Sequence, residues 1–121
     1  SALALAGFSQ GAMMALHTGL RMDEPPAAIL AYSGALLESP ESLAAEVVGA
    51  ARKPRPPVLL VHGEVDGVVP VAASRAAEAA LRGAGVPVEA LYLPGLDHTI
   101  DGTGLAAGVS VLRRAFGTPG A

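Results

Sequence analysis

The chain has no cysteine and no tryptophan, and only two phenylalanines and two tyrosines. Without cysteine there is no disulfide framework, no thiolate metal site and no cysteine nucleophile, and a reducing, cytoplasmic compartment is the expectation. With so few aromatic rings, a core has to be built from Leu, Val and Ala with backbones packed closely. No apolar run approaches the roughly 18 residues of a membrane span, so no membrane span is expected. The eight Lys and Arg residues form no stripe, and Arg52, Lys53 and Arg55 sit among prolines in an apparent loop. Together with a net charge of −3, this argues against a nucleic-acid surface. The opening "SALALAG" has the look of a signal-peptide core, but with no initiating Met and no basic leader it is read as part of the fold.

What is present points to a packed α/β chain. Hydrophobic residues make up 51% of the 121, with a mean hydropathy of +0.47, which excludes a disordered chain. The length allows at most one domain, and neither an internal repeat nor a second domain is visible. Residues 2–8 read as a strand, and Gln10 to about Leu20 as a helix with Met13, Leu16 and Leu20 at helical spacing. "AAILAYSG" (27–34) and "VLLVHG" (58–63) are short continuous apolar runs, as expected of strands covered on both faces. A weaker helix is expected over 40–51 and a loop at "KPRPP". Pro70 to about Arg82 reads as a helix with a Glu78–Arg82 pair, and 86–95 as a strand. Leu105, Val109, Leu112 and Phe116 make the apolar stripe of a last helix. The order βαβ(α)βαβα predicts a mostly parallel sheet of about four strands with helices on its faces.

In such sheets ligands meet the carboxyl ends of the strands, so the residues just past each strand carry the functional reading. After the first comes Gly7-Phe8-Ser9-Gln10-Gly11, a G-x-S-x-G pattern. A sharp turn there would hold the serine in a strained conformation with its hydroxyl above the sheet, and glycine would suit both flanking places. The next helix adds its N-terminal dipole, with the Gln10 N–H pointing towards a developing oxyanion. Strand before and helix after are the context that makes the pattern informative.

A serine hydroxyl needs a base, and the base an orienting acid. His17 lies about two helical turns beyond Ser9, too far to reach it. His62 ends the third strand, but Gly63 comes next and the nearby acid is poorly placed to clamp it, so a structural role in the loop is favoured over a catalytic one. His98, on a loop after the fourth strand, is the preferred base. Asp66 is the preferred acid, because a short carboxylate on a turn can set the imidazole tautomer, whereas Glu64 only caps the loop. Asp97 and Asp101 are read as solvated loop acids. Each residue alone has a plainer reading: the serine as a helix cap, the aspartate bonding its own turn, the histidine as a half-buried polar group. Their appearance in the order Ser, Asp, His, each after a separate strand, favours catalysis.

"GFSQGAMMAL", "PVLLVHGEVDGVVPV" and "LPGLDH" together resemble the phospholipase/carboxylesterase group of α/β-hydrolases, which includes acyl-protein thioesterase-like enzymes. The resemblance implies Ser9 as nucleophile, Asp66 as triad acid, His98 as general base and the Gln10 N–H as an oxyanion donor. The family's glycine-rich His-Gly segment, which supplies the other oxyanion donor, has no counterpart here. Residues 1–121 are therefore expected to be the C-terminal part of one α/β-hydrolase domain. The nucleophile strand is then expected at an open edge, where the isolated chain would self-associate.

The reaction so implied is acyl transfer from a small-molecule ester or thioester through an acyl-enzyme, with no metal or organic cofactor. The rivals are a serine peptidase of the same fold and a catalytically silent binding module. A dinucleotide-binding unit is disfavoured because the first turn lacks G-x-G-x-x-G.

Overall fold

The two continuous apolar runs become the central strands. In the computed structural model, which describes residues 3–49 and 55–117, the elements are β1 (Ala4–Phe8), α1 (Gln10–Gly19), β2 (Ala28–Tyr32), α2 (Pro40–Gly49), β3 (Val58–Gly63), α3 (Val71–Gly83), β4 (Val88–Leu93) and α4 (Gly102–Phe116). The strands lie in the order β1-β2-β3-β4, each parallel to its neighbours. Every residue of β2 and β3 is buried, which is why neither run alternates with polar residues. Arg52, Lys53 and the end of the helix expected to run to residue 51 lie outside the described residues.

Alternation along β2 divides the core in two. Ile29 and Ala31 pack with Ala12, Ala15 and Leu16 of α1, Leu43 of α2 and Ala77 and Leu81 of α3. Ala28, Leu30 and Tyr32 face the other way, towards Val111 of α4. The result is three layers, with α1, α2 and α3 on one face of the sheet and α4 on the other.

The last helix corrects the sequence reading. Of its expected stripe only Leu112 packs against the core under the sheet; Leu105, Val109 and Phe116 are exposed. The buried face is instead Gly104, Gly108 and Val111. A Cβ at Gly108 would come to 2.2 Å from the Tyr32 hydroxyl oxygen, so glycine lets helix and ring meet. The Tyr32 hydroxyl donates to the Gly104 carbonyl at 2.9 Å, and burial pushes its pKa up, which keeps the proton in place. Leu105, Val109 and Leu112 line an apolar groove of about 360 Å³ shared with Ala6 and Phe8 of β1. The spacing was helical; which stripe the sheet covers depends on Tyr32, far away in sequence.

Asp101 differs from its reading as a solvated loop acid: it is the N-cap of α4 and accepts from the Gly104 N–H at 2.9 Å. The expected Glu78–Arg82 pair forms on α3 at 2.9 Å. Among the described residues β1 pairs with β2 alone and forms one edge of the sheet, and no helix is long and apolar enough to cross a membrane.

Candidate active site

Parallel pairing brings the ends of the strands to one rim, since Phe8 is level with Tyr32, Tyr32 with Val61, and Gly63 with Leu93. Ser9 comes directly after β1, with φ 57° and ψ −118°. A residue bearing a Cβ seldom adopts a positive φ of this size. The turn is held from below by the Ser9 N–H, which donates to the Tyr32 carbonyl at 2.8 Å. It closes so tightly that a Cβ at Gly7 would lie 2.2 Å from the Gly11 carbonyl carbon. Gly11 itself has open space where a Cβ would stand, so only the first of the two motif glycines is required by crowding among the described residues.

Ser9 occupies the N-cap position of α1, yet its side chain makes no capping hydrogen bond. Its hydroxyl faces His98 instead, with Oγ 3.0 Å from Nε2. The other ring nitrogen, Nδ1, is 2.7 Å from Asp66 Oδ2. A carboxylate only accepts, so Nδ1 carries the proton and Nε2 is left to accept from the serine hydroxyl. Three residues from three separate loops thus form one continuous chain of hydrogen bonds. The Phe8 ring lies against the imidazole, centroid to centroid 4.7 Å, a contact the sequence reading did not foresee. Its only signal was an aromatic placed next to the serine in a chain with few aromatics.

Asp66 is held as firmly on its other oxygen. Oδ1 accepts from the Val68 N–H at 2.8 Å and the Val69 N–H at 2.9 Å, so the plain turn-bonding reading of this aspartate is also met. The acid and histidine loops are joined by backbone: Glu64 N–H donates to the Leu93 carbonyl at 2.9 Å and Val65 N–H to the Leu96 carbonyl at 3.1 Å. The Asp66 side chain is fully buried and that of His98 is 18% exposed. Burial pushes the Asp66 pKa up, but the hydrogen bonds from His98, Val69 and Val68 and the charge of His98 outweigh it and hold the carboxyl below its usual value.

That shift has a measurable sign. A carboxylate whose pKa is lower folded than unfolded contributes stability that is complete above the unfolded value, about 3.9, and is lost as pH falls through the lower folded one. Glu78, hydrogen-bonded by Tyr92 and Arg82, and Glu89, hydrogen-bonded by Arg114, are held low as well. The Asp66 share is therefore isolated by comparing variants. Urea unfolding midpoints of the full-length protein should fall less between pH 6 and pH 3 in Asp66→Asn than in wild type; equal falls would show that Asp66 is not held low in the fold.

The remaining sequence candidates stand outside the Ser9–His98–Asp66 chain, although His62 Nε2 comes within 3.4 Å of Asp66 Oδ2. His17, on α1, pairs with Glu38 at 3.2 Å. Glu64 pairs with Arg75 at 3.1 Å on the surface, and Asp97 is exposed. His62 is buried with both ring nitrogens engaged, Nδ1 at 2.5 Å from Ser74 Oγ and Nε2 at 2.7 Å from the Val69 carbonyl oxygen. Ser74 had no distinguishing signal, being one small residue in an Ala-rich helix. Gln10 is the first residue of α1, where a helix N–H has no intrahelical partner. Among the described residues no three His, Cys, Asp or Glu side chains cluster as metal ligands.

A family model described as Phospholipase/Carboxylesterase matches residues 1–114. The chain belongs to that family. Acyl-protein thioesterase 1 of Gibberella zeae is 34% identical over 97 residues, covering 80% of this chain and 41% of the relative. The crystal structure of esterase PE8 is 46% identical with a TM-score of 0.82, covering 93% of this chain and 49% of that one. SOBER1 of Arabidopsis thaliana is 28% identical with a TM-score of 0.83, covering 93% and 52%. The four parallel strands and their helices are a partial α/β-hydrolase fold, and the chain spans about half the length of these relatives or less.

Proposed function

We propose that this segment carries the chemistry of a serine hydrolase acting on carboxylic esters or thioesters, with Ser9 as nucleophile, His98 as general base and Asp66 as orienting acid. The observation that carries the reading is the unbroken sequence of hydrogen bonds from Ser9 Oγ through His98 to Asp66. The esterase and thioesterase relatives support the substrate class.

In the proposed reaction Ser9 Oγ attacks the acyl carbonyl while its proton passes to His98 Nε2. The Gln10 N–H donates to the oxyanion that forms, helped by the N-terminal dipole of α1. Collapse breaks the bond to the alcohol or thiol, which leaves with the proton from His98. Water then attacks the acyl-serine, gives its proton to the same nitrogen and releases the acid with Ser9 restored. Asp66 steadies the imidazolium throughout and does not itself take the proton.

Residues 1–121 are read as the C-terminal part of one α/β-hydrolase domain, working in the cytoplasm without a cofactor. The second oxyanion donor then comes from the rest of the domain. The open edge of β1 and the apolar groove beside α4 form the seat for that part, and an isolated chain would pair this edge with a second copy.

The test is a fluorophosphonate probe and short-chain p-nitrophenyl esters applied to the full-length protein. A probe adduct mapped to Ser9, with ester turnover, is expected. A protein that leaves Ser9 unlabelled would be a silent binding module, and one that cleaves peptide amides faster than esters a peptidase; either result overturns the proposal.

A further inference from the structure

Outside the Ser9–His98–Asp66 chain, His62 and Ser74 are buried polar side chains, each 1% exposed and hydrogen-bonded to one another. The proposed reaction uses neither. Resting on the reading of Asp66 as the acid of the site, we propose that His62, as a neutral ring protonated on Nε2, is the positioning residue that holds the 63–69 loop so that Asp66 meets His98.

The tautomer is set by its partners. The Val69 carbonyl, 2.7 Å from Nε2, can only accept, and so can Asp66 Oδ2, 3.4 Å from the same nitrogen. Nε2 therefore bears the proton, and in the neutral ring proposed here Nδ1 accepts. The Ser74 hydroxyl donates to it at 2.5 Å; that hydroxyl has one proton, and its alternative acceptor, the Gly34 carbonyl, is farther away at 3.4 Å. Every polar atom of the ring is thereby engaged, donating to the loop at Val69 and accepting from α3 at Ser74.

The consequence reaches Asp66 through Val69. The Val69 N–H is one of the two donors to Asp66 Oδ1, while its carbonyl is the acceptor of His62. The residue is thus gripped from both sides, by the acid and by a ring rooted in β3. Releasing the carbonyl frees the loop to shift, and the other carboxylate oxygen, 2.7 Å from His98 Nδ1, shifts with it. His62 cannot substitute for His98, because its side chain has no exposed surface and its donor proton is spent on Val69.

Two amides separate donation from mere packing. In glutamine the amide nitrogen reaches the place of His62 Nε2; in asparagine it stops near Nδ1. In the full-length protein, His62→Gln should keep most of the wild-type kcat, while His62→Asn should lower kcat about 30- to 100-fold with KM unchanged, the scale of a misplaced catalytic group. Imidazole 15N spectra of the wild type at neutral pH should show His62 protonated on Nε2 and bare on Nδ1.

An Nδ1–H tautomer overturns the proposal, as does a folded His62→Gln variant that loses kcat as severely as His62→Asn, or a His62→Asn variant as fast as wild type. If His62→Asn does not fold, the spectrum and the glutamine variant decide. A wild-type protein whose Ser9 does not react with fluorophosphonate removes the hydrolase reading, and this proposal with it; a reactive wild type with no difference between the variants removes this proposal alone.

Discussion

Ser9→Ala in the full-length protein is expected to cut kcat for a short acyl ester by about a millionfold, the scale seen when a serine nucleophile is removed from a triad. The fold should survive the change. The Ser9 side chain caps no helix N–H, and the bonds that hold its turn, from the Ser9 N–H to the Tyr32 carbonyl and from the Met13 N–H to the Ser9 carbonyl, belong to the backbone. Thermal melting should therefore move little while fluorophosphonate labelling vanishes. Ester turnover within about tenfold of wild type, well short of that scale, would remove Ser9 from the chemistry.

Asp66→Asn should cost about ten-thousandfold in kcat, by a different route. Asparagine has nearly the same shape, and its oxygen can still accept from the Val68 and Val69 N–H groups. Its NH₂ must then take the place of Oδ2, beside His98 Nδ1. A donor facing Nδ1 favours the ring tautomer with its proton on Nε2, so the nitrogen nearest Ser9 Oγ can no longer accept. The imidazole would stand in the correct place with the wrong proton. A similar KM and a retained fold are expected; a loss smaller than about a hundredfold, far below the triad scale, would mean that another acid orients His98.

How much of the molecule was legible in its sequence depends on how local each cause was. β2 and β3 could be read because burial on both faces leaves a continuous apolar run. That Ser9, Asp66 and His98 would meet could be read because the rim of a parallel sheet collects the residues at the carboxyl end of each strand. The covered side of α4 could not, since it is selected by Tyr32 reaching across from β2 to Gly104. Nor could the capping by Asp101, whose partner is a backbone N–H rather than a side chain. Ser74 was invisible for a related reason: nothing marks one hydroxyl on a helix until the ring of His62 is placed against it. The pairing of Asp66 with His98 likewise needs the two loops to be stitched by Glu64 and Val65, bonds made by main chain and silent about side-chain identity.

The positive backbone angle at Ser9 has an evolutionary meaning. Holding a β-carbon at φ 57° costs on the order of 1–3 kcal/mol, and glycine would relieve it. Pressure towards thermal robustness alone would push this site to lose its side chain. On the proposed reaction, the hydroxymethyl group kept there is durability surrendered to reactivity.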